Sequence, residues 1–173
     1  MIYVNVRAIV IRGTYPDIEV LIQRRNKVNE PDYYELPGGR IEKYESIFKA
    51  LRREVAEETG LEIINIMSSD RQVFANKSVV VESLNPYAVY QTIDGYIDSF
   101  GVHFICNAQG TLLKDGDGSK NIKWLHIDEI AEIIKQSDNF SPYDALSVIK
   151  FINEIRLNEH LRTEIHKLYN ETL

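Results

Sequence analysis

The chain contains one cysteine, Cys106, so no internal disulfide can form and no cysteine cluster exists to hold a metal. That fits a reducing compartment. Cys106 lies in the apolar run FGVHFIC, where core packing suits it better than catalysis. Long apolar stretches are also missing: no segment approaches the length that crosses a bilayer as a helix. The first residues lack the charged, apolar and small-residue succession of a secretion signal, so a cytoplasmic protein with no membrane partner is expected. Positive charge is in deficit, with 20 Lys and Arg against 26 Asp and Glu and a formal net charge of −6. Broad adhesion to nucleic acid or anionic membrane is disfavoured, although a local basic patch stays open. An anionic substrate would need a metal ion or individually placed arginines. The histidines His103, His126, His160 and His166 show no ligand spacing, and there are no internal repeats or low-complexity tracts.

What is present is a chain of 173 residues, 44% hydrophobic and 27% charged, which describes one globular domain over residues 1–173 with a helical extension from about 141 to 173. Its densest chemistry lies between Leu36 and Leu61. Ser46 is a helix N-cap candidate, the run IFKALRREVAEET has no Gly or Pro, and Gly60 can end the helix in a left-handed cap. Glu54, Glu57 and Glu58 stand at i, i+3 and i+4, so their carboxylates share one face. They repel one another there, in the last turns, where the helix dipole also disfavours negative charge. A hard divalent cation removes the conflict. The plainer alternative is a solvated acidic face balanced by Lys49, Arg52 and Arg53.

The wider spacing bears on that choice. Gly39 is followed after five residues by Glu45 and after seven more by Arg53-Glu54-Val55-Ala56-Glu57-Glu58-Thr59-Gly60-Leu61. This resembles the Nudix box at every defined position. The resemblance implies a Nudix fold, an α+β arrangement with a mixed β-sheet sandwiched between helices. It also implies Mg²⁺- or Mn²⁺-dependent hydrolysis of a nucleoside diphosphate linked to another moiety: a nucleoside triphosphate, ADP-ribose or a nucleotide sugar. By position Glu54, Glu57 and Glu58 become metal ligands with the carbonyl of Gly38, and Glu45 with Arg53 becomes a supporting pair in which a planar guanidinium orients a carboxylate. The proton of the attacking water falls to Glu57, Glu58 or a loop acid. A non-catalytic nucleotide-sensing or interaction module with the same fold is the alternative, and a second copy of the chain is a candidate partner.

Around the box, IYVNVRAIVIR and IEVLIQRR read as strands of a hairpin joined through GTYPD, leading to a polar loop, NKVNEPD. Arg24 stands fourteen residues before Gly38, where MutT-type members of the family resemble it in carrying a substrate-binding arginine; an ordinary strand-end arginine is the other reading. Tyr33 and Tyr34 precede the Pro37-Gly38-Gly39 turn, where glycines allow close approach to a ligand, and either tyrosine offers a ring for stacking on a base or for loop packing. Strands are expected at IINIM, at KSVVVES and at AVYQTI around an Asn85-Pro86 turn, with Tyr87, Tyr90, Tyr96, Glu82 and Asp94 as candidate pocket residues. SFGVHFICNA is a further strand. DGDGS lacks the glutamate that a calcium loop needs and reads as a hairpin tip. MutT-type members place an acid in this loop, to which Asp115 or Asp117 before Trp124 corresponds after a small shift and with Asp in place of Glu. Helices are expected at 128–136 and 143–157, the second starting at Ser141-Pro142, with 158–169 continuing or restarting it. Asp144 falls where MutT-type members present a base-reading side chain; a first-turn acid that favours the helix dipole is the plainer reading.

Overall fold

The computed structural model describes residues 1–26, 32–67 and 71–170; most of the expected polar loop after Arg25 and the final residues of the tail lie outside these. Strand β1 (Tyr3–Arg12) is the spine of the main sheet, pairing in parallel with β9 (Ser99–Gly110) from Tyr3 opposite Ser99 to Val10 opposite Cys106. On its other edge β1 meets β2 (Glu19–Arg25) only at Ile11 and Arg12, and β4 (Gly38–Arg40) at Asn5 to Arg7. With β5 (Leu61–Met67), β10 (Asp115–Gly116) and β11 (Ser119–His126), the order is β10-β11-β2-β1-β9-β5. Strand β3 (Tyr34–Glu35) pairs with β2, and β8 (Ala88–Gln91) with β9.

The uninterrupted apolar run of β1 follows from cover on both faces. Ile9 and Ile11 pack with α2 (Ile127–Lys135), α3 (Pro142–Leu157) and α4 (Glu159–Asn170). Val6, Ala8 and Val10 pack with Ala50, Leu51 and Val55 of α1 (Ile47–Thr59) and with Cys106. The mixed sheet therefore lies between helices, as expected, and Cys106 is a core residue. Helix α1 begins where Ser46 accepts the Lys49 N–H and ends at Gly60, whose φ of 78° is left-handed. Helix α4 restarts after Asn158, and the DGDGS segment forms the hairpin tip between β10 and β11.

One pairing differs from expectation. Strand β7 (Val80–Ser83) turns back onto β6 (Gln72–Ala75) as a separate two-stranded sheet, and β8 joins the main sheet. The Asn76 side chain accepts the N–H groups of Ser78 and Val79 and closes that turn locally. Asn85-Pro86 is the link between the two sheets rather than a hairpin tip.

Candidate active site

The odd-numbered residues at the start of β1, Tyr3, Asn5 and Arg7, share the face of Ile9 but run beyond the helices that cover it, and they line a cleft of about 930 Å³. Helix α1 contributes Arg53, Glu54, Glu57 and Glu58 to that cleft, and strand β4 before it contributes Gly38 and Gly39. Gly38 has a φ of 140°, and a Cβ there would lie 2.2 Å from the Val6 carbonyl oxygen, so only glycine fits. A Cβ on Gly39 would lie 2.4 Å from a Glu54 carboxylate oxygen: the glycine pair lets this carboxylate lie against the backbone.

The carboxylates of α1 are arranged around Arg53. Its Nε and Nη2 grip both oxygens of Glu45 at 2.9 and 2.8 Å, a bidentate pair that brings Glu45 down to about 2, chiefly through those hydrogen bonds. Nη1 donates to Glu54 at 2.7 Å and to Glu57 at 3.2 Å. Glu58 is different: it is 8% exposed, and its Oε2 accepts the Gly38 N–H and the Gln23 amide, both at 2.8 Å. Burial pushes its carboxyl up to about 8 against the pull of Arg7.

The C-terminus of α1 is capped by the loop and strand after β9. Leu113 N–H donates to the Thr59 carbonyl, Asp117 N–H to that of Glu57, and the Ser119 hydroxyl to that of Glu58. A Cβ on Gly116 would lie 1.9 Å from the Glu58 carbonyl oxygen, so this glycine is what lets the hairpin come so close. The capping places Asp117 in the cleft beside Glu57; Asp115 is not among the residues lining it.

Beneath the turn lies a second charged group. Arg7 Nη1 donates to the carbonyls of Leu36 at 3.1 Å and Gly38 at 2.9 Å, and Glu35 and Asp144 stand 3.7 and 3.9 Å from the guanidinium. Burial opposes the Arg7 charge, and Asp144, Glu35 and Glu58 outweigh it. Asp144 is fully buried; it accepts the Leu36 N–H at 3.1 Å and lies 3.0 Å from His103 Nε2, while His103 Nδ1 meets the Ser147 hydroxyl at 3.1 Å. Burial raises the Asp144 carboxyl, but Arg7 and His103 bring it below the ordinary value.

The structure gathers Glu45, Arg53, Glu54, Glu57, Glu58, Gly38 and Gly39 at one place. It places three other candidates off the cleft wall, each by one residue. Arg24 bonds Asp32 and stacks on Tyr34, and Arg25 lines the cleft instead. Tyr34 lies between Arg24 and Lys123, and Tyr33 takes the cleft position. Asp144 is buried below, and Tyr143 reaches the cleft. A one-residue step reverses the face of a strand and turns a helix by more than a quarter of a revolution. Tyr90 and Tyr96 do line the cleft, whereas Tyr87 bonds Glu154 and Glu82 accepts the Ile47 N–H. Arg7 and Asn5 had no signal beyond a polar residue inside an apolar strand.

Among the described residues no three His, Cys, Asp or Glu side chains converge at metal-binding distance. Arg53 Nη1 stands between Glu54 and Glu57, where one cationic nitrogen already bridges two carboxylates. The donor set still fits a hard divalent ion, because Glu54, Glu57, Glu58 and Asp117 line one cleft and the Gly38 carbonyl keeps a second lone pair beyond the one Arg7 engages.

A family model described as NUDIX domain matches residues 1–146. An RNA pyrophosphohydrolase of Nitratiruptor is 43% identical over 65 residues, which is 37% of this chain and 41% of that protein, so the match spans under half of the relative. An RNA pyrophosphohydrolase of Campylobacter jejuni is 27% identical over 160 residues, 87% of this chain and 92% of its own. Among solved structures, the E. coli ORF135 protein shares the fold with a TM-score of 0.62 at 19% identity, over 88% of this chain and 90% of that one.

Proposed function

The chain belongs to the Nudix family, and from that premise we propose that it hydrolyses a phosphoanhydride in a nucleotide-derived substrate with a divalent ion, Mg²⁺ or Mn²⁺, as cofactor. The observation that carries this reading is the position of Arg53 Nη1 between Glu54 and Glu57, beside a buried Glu58: a cationic nitrogen already stands between two carboxylates of the cleft. Glu54, Glu57, Glu58 and the Gly38 carbonyl would hold the ion. When bound, it supplies charge neutralisation at the phosphoryl oxygens and a water of lowered pKa. Arg53 keeps Glu45 in its bidentate grip and so fixes the start of α1 against its middle. The Glu58 carboxylate is steadied by the Gly38 N–H and by Gln23, which suits a ligand better than a mobile base. Glu57 and Asp117 are adjacent acids at the cleft and are the groups to take the proton of the attacking water.

The relatives named as RNA pyrophosphohydrolases bring RNA into the substrate panel beside nucleoside triphosphates, ADP-ribose and nucleotide sugars. Phosphate and pyrophosphate release from this panel, with Mg²⁺ and with Mn²⁺, tests the reading. Turnover that disappears in Glu57→Gln and Glu58→Gln supports it. Nucleotide binding without turnover of any member favours the sensing alternative.

A further inference from the structure

Resting on the phosphoanhydride reading above, we infer that Tyr90 and Tyr143 form a nucleobase platform that holds a base by stacking and does not distinguish one base from another by its edge. The two rings lie 5.6 Å apart, tilted by 45°, within direct contact distance, so they leave no slot between them and offer a surface instead. Tyr90 is fixed in place. Its ring lies on Gly101 of the neighbouring strand, where a Cβ would approach Cε1 to 2.3 Å, and its hydroxyl meets the Asn5 amide and the Ser99 hydroxyl, both at 3.1 Å. A ring held against the sheet by a glycine and two hydrogen bonds loses little freedom when a base lands on it. Tyr96, 82% exposed, stands at the same cleft and extends the aromatic surface.

Polar groups near the rings are largely turned to other partners. Asn5 Nδ2 commits its two hydrogens to Tyr90 and Ser99. Arg7 Nη1 is engaged by two backbone carbonyls and Arg25 Nη1 by Glu35. Asp144, the residue at the family's base-reading position, is held beneath the cleft by Leu36 and His103. Tyrosine hydroxyls donate and accept alike, and so select no base. What the tyrosines themselves offer is ring surface, and every base has a face to lay on it.

Calorimetric titration of the full chain with AMP, GMP, CMP, UMP and ribose 5-phosphate, in Mg²⁺, tests the platform without turnover. The four nucleotides are expected to bind within about fivefold of one another and at least about fivefold tighter than ribose 5-phosphate. Tyr143→Leu and Tyr90→Leu should close that gap and leave ribose 5-phosphate binding unchanged, and Tyr90→Phe, which keeps the ring, should retain it. A purely structural role for Tyr90 would lower Tm without closing the gap. Preference for one base above about thirtyfold overturns the inference, as does ribose 5-phosphate binding as tightly as the nucleotides. The two readings separate cleanly: a base-dependent gap with no hydrolysis of any panel member sinks the activity and keeps the platform, and hydrolysis without the gap does the reverse.

Discussion

Arg53 and Arg7 both hold strand β4 before α1, the first through the carbonyl of Arg40 and the second through that of Gly38, and both are surrounded by glutamate or aspartate. The partners of Arg53 come from its own helix and the loop leading into it, Glu45, Glu54 and Glu57, and its side chain is 24% exposed. The acids around Arg7, namely Glu35, Asp144 and Glu58, come from β3, α3 and α1, and its side chain is 8% exposed. At the first cluster Glu57 is half exposed and lines the cleft with Glu54, so on the proposed function the place of Arg53 between them can pass to another cation. At the second, any change leaves a buried charge uncompensated. The comparison teaches that one cluster is suited to chemistry because its pairings are replaceable, and the other to support because they are not.

The largest effect should come from the replaceable cluster, read as activity. Glu57→Gln is expected to lower kcat by on the order of 10²- to 10⁴-fold, and Glu58→Gln, whose side chain belongs to the Arg7 side but lines the same cleft, by a similar factor. Circular dichroism should find Glu57→Gln folded, since that side chain is half exposed. Stability then tests the other side. Arg7→Met takes the buried charge from between Glu35 and Asp144, leaving them only Arg25 and His103, and should cost about 3–5 kcal/mol in urea denaturation. Arg53→Met should cost less, about 1–3 kcal/mol, because Glu57 is half exposed although Glu45 and Glu54 lose a hydrogen-bonded cation. Equal losses for the two arginines would erase the distinction.

The two clusters should also fail at opposite ends of the pH scale. Glu45 is held near 2 in the folded chain against 4.5 ordinarily, so its contribution is complete above 4.5 and is lost as pH falls toward 2. Glu58 is held near 8, so the folded, metal-free protein binds a proton that the unfolded chain releases from 4.5 upward, and stability declines as pH rises toward 8. Thermal melts in a chelator across this range should show both slopes, with Glu45→Gln removing the acid slope and Glu58→Gln the alkaline one. A Glu58→Gln melt that keeps its alkaline slope would mean that another group carries it.

The contrast also accounts for how much could be read in advance. Helix α1 was legible because cap, apolar stripe and carboxylate spacing are all local, and Arg53 finds its partners within the same stretch of chain. The Arg7 cluster joins residues 7, 35, 103 and 144, which only the parallel pairing of β1 with β9 and the docking of α3 bring together. Strand β6 carries no mark in the sequence: all four of its residues are exposed, so no buried-exposed alternation sets it apart. In three places a candidate substrate-binding residue stands one position from the residue that lines the cleft. Spacing to a motif locates a strand end or a helix start, but the pleat and the helix turn decide which of two neighbours faces inward, and at Arg24-Arg25 and Tyr33-Tyr34 the paired residues are chemically alike.

That last ambiguity yields the smallest expected effect and the finest test of the comparison. Arg24 lies outside both clusters: its guanidinium bonds Asp32 at 2.9 Å on a partly solvated surface and stacks at 4.6 Å on Tyr34. An exposed pair of this kind contributes about 1 kcal/mol or less. Arg24→Ala should therefore shift the urea midpoint only slightly and leave kcat/KM within about twofold, because a contact that substrate does not make cannot contribute to its binding. Arg25→Ala differs on both counts. Arg25 lines the cleft and bonds the Glu35 carboxylate that also faces Arg7, so its removal should raise KM and destabilise the buried cluster together. If Arg24→Ala instead changed the order of preference among nucleotides, the outer face of β2 would belong to the substrate site, and the boundary drawn between replaceable and permanent charge would have to move outward to include it.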